Sequence, residues 1–215
     1  MKYYFLTLTI FALVAIGFQA CNPTQEARDK ALSVHFDSLL KTDKTIQQQL
    51  VQFYQDTATS PLHEEERANF KGITFYPLSK DYITEADFEP IANGKTIAMP
   101  TSSNKIKYFK EYGLAKFSIN GEKCQLTLYQ SDPPIKGYEQ SLFLPFKDAT
   151  SGFETYGMGR YMDIEMSEII NRKLILDFNR AYHPYCAYSE HYNCPITPAN
   201  NTLTIKIEAG VNLKN

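Results

Sequence analysis

From Ile73 to Ala209 the sequence is a succession of short β-type segments separated by Pro, Gly, Asn and Asp. About ten segments are rich in β-branched or aromatic residues and end in turn residues, which is the pattern of strands. The segments are ITFYPL, YITEADFEP, KTIAMP, KIKYFKEY, LAKFSI, KCQLTLYQ, SLFLPF, GRYMDIE, KLILDF and LTIKIEA. Because no helical pattern alternates with them, they predict a mainly β fold, an antiparallel barrel or sandwich, rather than a parallel α/β sheet.

The clearest local signal is Asn120-Gly121 between LAKFSI and KCQLTLYQ. Asn-Gly accepts the positive φ angles of a type I′ turn, so we predict a hairpin at this point. In the second strand Cys124, Leu126 and Leu128 share one face, which predicts that the Cys124 side chain points into the core.

The N-terminal segment has the features of an export signal. Lys2 precedes an apolar run, and small residues lead to Cys21, where polar sequence begins. Phe18-Gln19-Ala20-Cys21 resembles a bacterial lipobox, so we predict that Cys21 is acylated after cleavage. An ordinary signal peptide cut nearby and an uncleaved anchor are the alternatives. The predicted location is exported and lipid-anchored to a bacterial membrane, facing the periplasm or the cell surface.

Helical spacing follows the signal segment. The apolar positions Leu32, Phe36, Leu39, Leu40, Ile46, Leu50, Phe53 and Tyr54 predict two amphipathic helices, or one bent near Thr42 and Asp43. Ser60-Pro61 predicts the start of a short third helix that ends near Gly72. We therefore divide the chain into a signal peptide (1–20), a segment with lipid attachment, tether and helices (21–56), and one β-rich domain (57–215). The helices are expected to cover a sheet edge or an open end.

The charge of the chain argues against a nucleic-acid partner. Lys and Arg total 22 against 24 Asp and Glu, a net charge of -2. Binding a polyanion requires a basic patch, which this balance does not favour. The predicted partners are the membrane, through the N-terminal lipid, and a small polar ligand.

The residues 142–198 concentrate aromatic, Gly, Asp, Arg and Cys side chains around the strand-like LILDF. Arg160 offers planar donors that would hold a carboxylate or phosphate of a ligand. The competing interpretation is an internal ion pair, because a buried Arg needs a carboxylate to offset its desolvation. The possible partners are Asp148, Asp163, Glu165 and Asp177.

Asp177 and Asn179 follow an apolar strand and fall on one face by alternation. As chemistry, Asp177 would orient His183 as a general acid or base. As structure, Asp and Asn at a strand end fasten the next loop through hydrogen bonds to its backbone. The structural interpretation is favoured, because no Ser or Cys nucleophile motif completes a triad.

The same loop contains His183-x-x-Cys186 and His191-x-x-Cys194. These four residues are of types that bind zinc. In an exported protein, however, Cys186 and Cys194 would also form a disulfide across a short loop. The spacing of the two cysteines does not decide between the two.

Several motifs in this region resemble the bacterial and archaeal family called domain of unknown function 1684. They are PFKDATSG-x-ETYG-x-GRY, DFN-x-AY-x-PYCAYS, CP-x-x-P and N-x-L-x-x-x-I-x-AG, and with Ser60-Pro61-Leu62 and Phe70-Lys71-Gly72 the resemblance covers Thr57 to Gly210. The resemblance implies no established activity. The family pattern has Asn at the position of His183 and no fixed His at that of His191, which lowers the zinc and catalytic interpretations. The matching positions are Asp177, Asn179, Tyr182, Pro184, Cys186 and Cys194.

Together these observations predict a membrane-tethered β domain that binds a small ligand in an aromatic-lined mouth. The expected ligand-binding residues are Arg160, Tyr161, Asp177, Asn179 and Tyr182. Cys186 and Cys194 are predicted to form a disulfide, and no cofactor is expected, with zinc as the alternative. The competing functions are a hydrolase that uses Asp177 or His183, and a scaffold protein with no pocket; the balance leans away from an enzyme.

Overall fold

A curled antiparallel sheet forms a half-barrel and carries most of the fold. The structure is a computed structural model that describes residues 24–213. The helices are α1 (Gln25–Gln55) and α2 (Glu64–Arg67), and the strands are β1 (Thr74–Phe75), β2 (Ile83–Pro90), β3 (Thr96–Pro100), β4 (Ile106–Ile119), β5 (Glu122–Ser131), β6 (Ser141–Phe146), β7 (Arg160–Glu165), β8 (Lys173–Asp177) and β9 (Val211–Asn212). The predicted class, mainly β with an N-terminal helical segment, is confirmed.

The main sheet has the strand order β7-β6-β5-β4-β2-β8, and β3 pairs with β4 outside this path. Strands β1 and β9 form a separate two-stranded sheet. The curl of the large sheet makes a half-barrel, which leaves β7 and β8 as its ends.

The predicted hairpin joins β4 and β5. Asn120 and Gly121 have φ angles of 51° and 82°, the positive pair that a type I′ turn requires. The two segments predicted before this turn are one strand, β4, with a register shift between Glu111 and Gly113. Gly113 does not break the strand. It provides space instead, because a Cβ there would lie 2.2 Å from the ring of Phe88.

Alternation along the strands separates two faces of the sheet. Leu142 and Leu144 of β6 and Met162 and Ile164 of β7 belong to the main core. Cys124 packs at the margin of the same core and is partly buried, so the predicted direction of its side chain is confirmed. Phe143 of β6 and Asp163 of β7 lie on the opposite face of the sheet, because successive side chains of a strand alternate.

The N-terminal helical segment is one continuous helix, α1, rather than two. Its sequence contains neither Gly nor Pro, so no residue interrupts the backbone hydrogen bonds. Asp43, near the predicted bend, is fully buried and accepts a hydrogen bond of 2.7 Å from Arg180 Nε. Further ion pairs join Arg28 to Glu85 and Asp37 to Lys80, so α1 lies beside the β2 and β8 end of the sheet.

The third helix differs from its predicted bounds. It begins at Glu64 and ends at Arg67, well before Gly72. Ser60 Oγ accepts a hydrogen bond from the backbone N–H of Leu62, which makes a turn instead of a helix start. Within residues 24–213, no helix combines the length and the apolar character needed to cross a bilayer.

The last predicted strand, LTIKIEA, joins no sheet. Its side chains alternate between buried and exposed from Leu203 to Ala209, as the pattern indicated. Its backbone pairs with the residues after β6 and with a side chain: Leu203 N–H donates to Lys147 O, and Ile207 N–H donates to Asp148 Oδ2. Periodicity therefore predicted the alternation of burial correctly, but the predicted strand is wrong: the chain bends at Thr204 and Ile205, and periodicity carried no information about the pairing.

Arg160 attaches this C-terminal segment to the sheet. Its guanidinium is fully buried and donates to the carbonyl oxygens of Ile207 (2.7 Å), Ala209 and Val211 (3.3 Å). The Asp148 carboxylate lies 3.3 Å from Nη2 and supplies the opposite charge. One side chain of β7 therefore binds two carbonyl groups of the segment and the carbonyl group of Val211 in β9.

We predict that Arg160→Met lowers the free energy of unfolding by about 3–5 kcal/mol, because Asp148 is left buried without its cation. Urea denaturation measures the change. Lys116→Met is the control: it removes an exposed 2.7 Å pair with Glu89, which contributes less than about 1 kcal/mol. An Arg160→Met protein that loses no more stability than the Lys116→Met protein would contradict this role.

Candidate ligand-binding pocket

A pocket of about 650 Å³ lies on the face of the sheet that is opposite to the main core. Phe143 of β6 and Asp163 of β7 are paired in register and form part of its floor, with Tyr161 next along β7. Seven of the eighteen lining residues are Phe or Tyr, and the wall comes from four parts of the chain. The lining residues are Lys107, Phe109, Ser131, Ile135, Tyr138, Ser141, Leu142, Phe143, Tyr161, Asp163, Tyr182, Pro184, Tyr185, His191, Tyr192, Asn193, Cys194 and Pro195.

The wall opposite the sheet is a loop closed by a disulfide. Cys186 and Cys194 are bonded to each other with their Cα atoms 6.1 Å apart, so the predicted disulfide is confirmed. Ser102, just after β3, accepts a hydrogen bond from Cys194 N–H and donates to Tyr192 O. Because a short covalent loop is held to the sheet in this way, the wall has little conformational freedom.

The tyrosine hydroxyls of the wall are largely occupied by protein acceptors. Tyr161 Oη donates to the carbonyl oxygen of Pro195, Tyr192 Oη donates to that of Pro61 (2.7 Å), and Tyr182 Oη donates to Asp163 Oδ2 (2.8 Å). Burial raises the pKa of Tyr161 and of Tyr182, so both phenols stay protonated. What these tyrosines offer to the pocket is therefore ring surface.

Asp163 is the carboxylate of the lining. It borders this pocket and two smaller hollows of about 240 and 200 Å³, which gives its side chain access to solvent from several sides. Desolvation by the surrounding protein raises the pKa of Asp163, while the hydrogen bond from Tyr182 opposes that increase. Asp163 thus places a negative charge beside the ring of Phe143, in a lining that also contains the basic residues Lys107 and His191.

The structure brings only two of the five predicted ligand-binding residues to this pocket. Tyr161 and Tyr182 line it, and their backbones form a bridge between β7 and the loop. Arg160 points to the other face, where its partners are the carbonyl oxygens and Asp148 described above. Strand alternation separates Arg160 from Tyr161, and the sequence did not show that the face of Arg160 is covered.

Asp177 and Asn179 lie at the other end of the sheet. Asn179 accepts from Ser79 N–H (3.1 Å), donates to Ser79 O (2.9 Å), and donates to Asp177 Oδ1 (2.9 Å). These bonds fasten the Phe178–Arg180 turn after β8 to the segment before β2. The arrangement is the one expected of polar residues that tie down a loop.

Asp177 also meets a second buried carboxylate. Burial, and then the neighbouring Asp43, raise the pKa of Asp177 to about 7. No protein donor among the described residues reaches Oδ2 of either acid. Arg180 lies between them, 2.7 Å from Asp43 Oδ1 and 3.6 Å from Asp177 Oδ2. The single positive charge of Arg180 thus pairs with two carboxyl groups. A proton on Asp177 removes the excess negative charge.

His183 is held as a neutral structural residue. Its Nε2 accepts from Tyr156 N–H (3.2 Å), and Nδ1 lies 2.8 Å from Tyr188 Oη. Because Nε2 is an acceptor, the proton of the neutral ring sits on Nδ1 and is donated to Tyr188. Burial, helped by the charge of Arg160, lowers the pKa of His183 to about 3.

The alternative zinc ligands do not converge. Cys186 and Cys194 are joined to each other, and His183 is occupied by Tyr156 and Tyr188. His191 lies apart, 3.8 Å from Glu66. Among residues 24–213, no group of three or more His, Cys, Asp or Glu is arranged to hold a metal ion.

The family model described as protein of unknown function (DUF1684) matches residues 68–212. The chain belongs to this family. The resemblance read from the motifs is confirmed, and the matched region contains every strand of the half-barrel.

Among solved structures, the DUF1684 chain is similar to an uncharacterised protein of Haloarcula marismortui determined by solution NMR. The two chains are 27% identical, with a TM-score of 0.62, over 82% of this chain and 95% of that one. No curated protein matched. The comparisons therefore establish the family and the fold.

Sequence reasoning missed Asp163 as a pocket residue. It considered Asp163 only as a partner for Arg160, although the two are three positions apart on one strand and therefore on opposite faces. That alternation was the signal available. Phe109 and Phe143 were missed for a different reason: an aromatic residue in a strand usually packs in the core, and only the tertiary structure shows that this second face is partly open.

We predict that raising the pH from 5 to 8 lowers the free energy of unfolding of the unmodified DUF1684 protein more than that of the Asp177→Asn variant. The pKa of Asp177 is raised in the folded protein from an ordinary 3.8, so its protonated form stabilises the fold at low pH and the effect is lost as pH passes about 7. The expected relative change is about 1–2 kcal/mol.

Urea midpoints of both proteins at pH 5 and pH 8 measure this difference. Asp81→Asn is the matched control, since Asp81 is an exposed acid of the turn before β2. Equal pH dependence in the Asp177→Asn, Asp81→Asn and unmodified proteins would contradict the shared-proton account.

Proposed function

We propose that the protein is a small-ligand-binding domain and that its ligand occupies the aromatic pocket between the sheet and the disulfide loop. The observation that supports this most is the pocket itself, at about 650 Å³ and with seven Phe and Tyr residues in its lining. Ligand sites in proteins are typically concave, of roughly 300–1,000 Å³, apolar in most of their wall and equipped with a few polar groups. Asp163, Ser131 and Asn193 are polar groups of this kind.

Binding is favoured over the hydrolase alternative by the state of the two candidate catalytic residues. Both nitrogens of His183 have protein partners, and its lowered pKa keeps it neutral in the physiological range. Asp177 borders a separate hollow of about 200 Å³ and is engaged with Asn179 and Asp43. A general base has to reach an open position where a substrate would sit, and neither residue lines the aromatic pocket.

The scaffold alternative is weakened by the rigidity of the pocket wall. An interaction protein without a ligand has no need of a concave pocket of this kind. Here the wall is held by the disulfide and by three tyrosine hydroxyl bonds. A preformed cavity of this kind lowers the entropic cost of binding a ligand.

We predict that Ser131→Trp abolishes ligand binding by filling the pocket. Ser131 is partly buried, lines the pocket and pairs with Phe109, so an indole at this position enters the cavity. Melting temperatures are measured for the unmodified protein and the variant with a library of metabolites, because a ligand that binds the native state raises the melting temperature.

Ser167→Trp is the matched control, since Ser167 is exposed in the Met166–Glu168 turn and outside the lining. Compounds that stabilise the unmodified and Ser167→Trp proteins should have no effect on Ser131→Trp. The proposal fails if no compound raises the melting temperature of the unmodified protein, or if Ser131→Trp responds equally.

We further propose that the domain works outside the cytoplasm, tethered to a membrane through a lipid on Cys21. The support is the leader sequence, in which an apolar run ends abruptly at Cys21. Cys21 lies outside the described residues. The disulfide is consistent with export, because such bonds persist in oxidising compartments.

Growth with labelled palmitate tests this location. The unmodified protein should become labelled, and Cys21→Ala should lose the label because the acceptor sulfur is gone. Label retained by Cys21→Ala would refute the assignment, and Cys124→Ala controls for acylation at the other free thiol.

A further inference from the structure

The chemical character of the aromatic pocket favours one class of ligand. Three of its tyrosines, Tyr161, Tyr182 and Tyr192, donate their hydroxyl protons to protein acceptors. Those hydroxyls are therefore not free to donate to a ligand, and the rings present their π surfaces and edges. The face of an aromatic ring carries the negative part of its quadrupole, which attracts cations.

The wall is also packed so that several rings meet at angles. The rings of Phe143 and Tyr161 are 4.7 Å apart and nearly perpendicular, and those of Tyr161 and Tyr182 are 6.0 Å apart and also perpendicular. Tyr185 and Tyr192 pack on each other with their centroids 4.8 Å apart. Rings set at angles around a cavity present both faces and edges to it, as in sites that surround an alkylated ammonium group.

The acidic residue of the lining attracts a cation, as the ring faces do. Asp163 is the acidic residue of the lining, at the base of the pocket where the two smaller hollows also meet. The basic residues of the lining, Lys107 and His191, are both exposed, and His191 lies 3.8 Å from Glu66. Asp163 is exposed as well, but it differs from them in lying on the floor directly beside Phe143 and in accepting a hydrogen bond from Tyr182 Oη, so its negative charge lies next to the rings.

We propose that the ligand of this pocket is an organic cation, an alkylated ammonium group carried on an apolar or weakly polar body, which rests on the tyrosine and phenylalanine rings and pairs with Asp163. This inference rests on the proposed function, and it adds the chemical class of the ligand. The apolar body contacts Phe109 and Phe143, and the ammonium group replaces water next to the carboxylate. Net affinity comes from the cation–ring contacts and the ion pair with Asp163 together, because either interaction alone is weak in water.

The test uses three soluble probes of the same shape and different charge: choline, the neutral 3,3-dimethylbutan-1-ol and the anion 3,3-dimethylbutanoate. Dissociation constants are measured by NMR titration of the purified mature protein. We expect choline to bind at least about tenfold more tightly than the neutral probe, with the anion weakest, because the neutral probe keeps the shape and loses the charge.

Two variants locate the charge that matters. Asp163→Asn should lower choline affinity severalfold and leave the neutral probe unchanged, because the rings still attract the cation after the carboxylate is gone. Glu165→Gln is the matched control: it lies two positions along the same face of β7, outside the lining, and should keep the choline preference. Melting curves verify that both variants fold, and the three-probe comparison on the unmodified protein stands even if one of them does not.

The inference is overturned if the neutral probe or the anion binds as tightly as choline, or if the preference for choline is undiminished in Asp163→Asn. In either case compounds still enter the pocket, so the proposed function survives. If none of the three probes binds, the cation proposal also fails, and the library screen with Ser131→Trp decides separately whether the pocket binds anything.

Discussion

The buried pair of Arg160 and Asp148 is the interaction on which the rest of the structure depends. It joins the end strand of the half-barrel to the segment Leu203 to Ala209, which has no ladder of its own, through two carbonyl groups of that segment and the Asp148 carboxylate, and to β9 through the carbonyl group of Val211. Such a charge is costly to bury, so the pair fixes which face of β7 is inside. The consequence reaches the other face: with Arg160 inside, Tyr161 and Asp163 are directed outward, where they become the floor of the pocket.

The two ends of the sheet have different roles. At the β8 end, α1 and the Phe178–Arg180 turn are tied together by hydrogen bonds and ion pairs among Asp43, Asp177, Asn179 and Arg180. At the β7 end, a disulfide loop stands away from the sheet and leaves a cavity between them. Polar residues at the first end stabilise the fold, whereas those at the second are accessible to a ligand. DUF1684 members share the matched region, so the distinction can be examined across the family.

The sequence predicted what is local and missed what is formed by distant segments. Asn120-Gly121 determined a hairpin, and alternation placed Cys124 correctly, because both depend on neighbouring residues. The segment Leu203 to Ala209 had the right periodicity, but its partners are Arg160 and the residues after β6, which periodicity does not reveal. For the same reason Arg160, Asp177 and Asn179 were predicted as ligand residues: a polar residue in an aromatic segment looks the same whether it faces a cavity or a buried partner.

The claim that a ligand binds against the outward face of β7 is tested most directly by locating the residues whose NMR signals shift when a ligand binds. The measurement is the set of backbone amide chemical shifts during titration with the compound that raises the melting temperature most. The account predicts that the changes cluster at Phe143, Tyr161, Asp163 and residues 182–195, on the outward face of β7. Changes centred instead on Asp177 to Arg180, with the outward face of β7 unaffected, would contradict it.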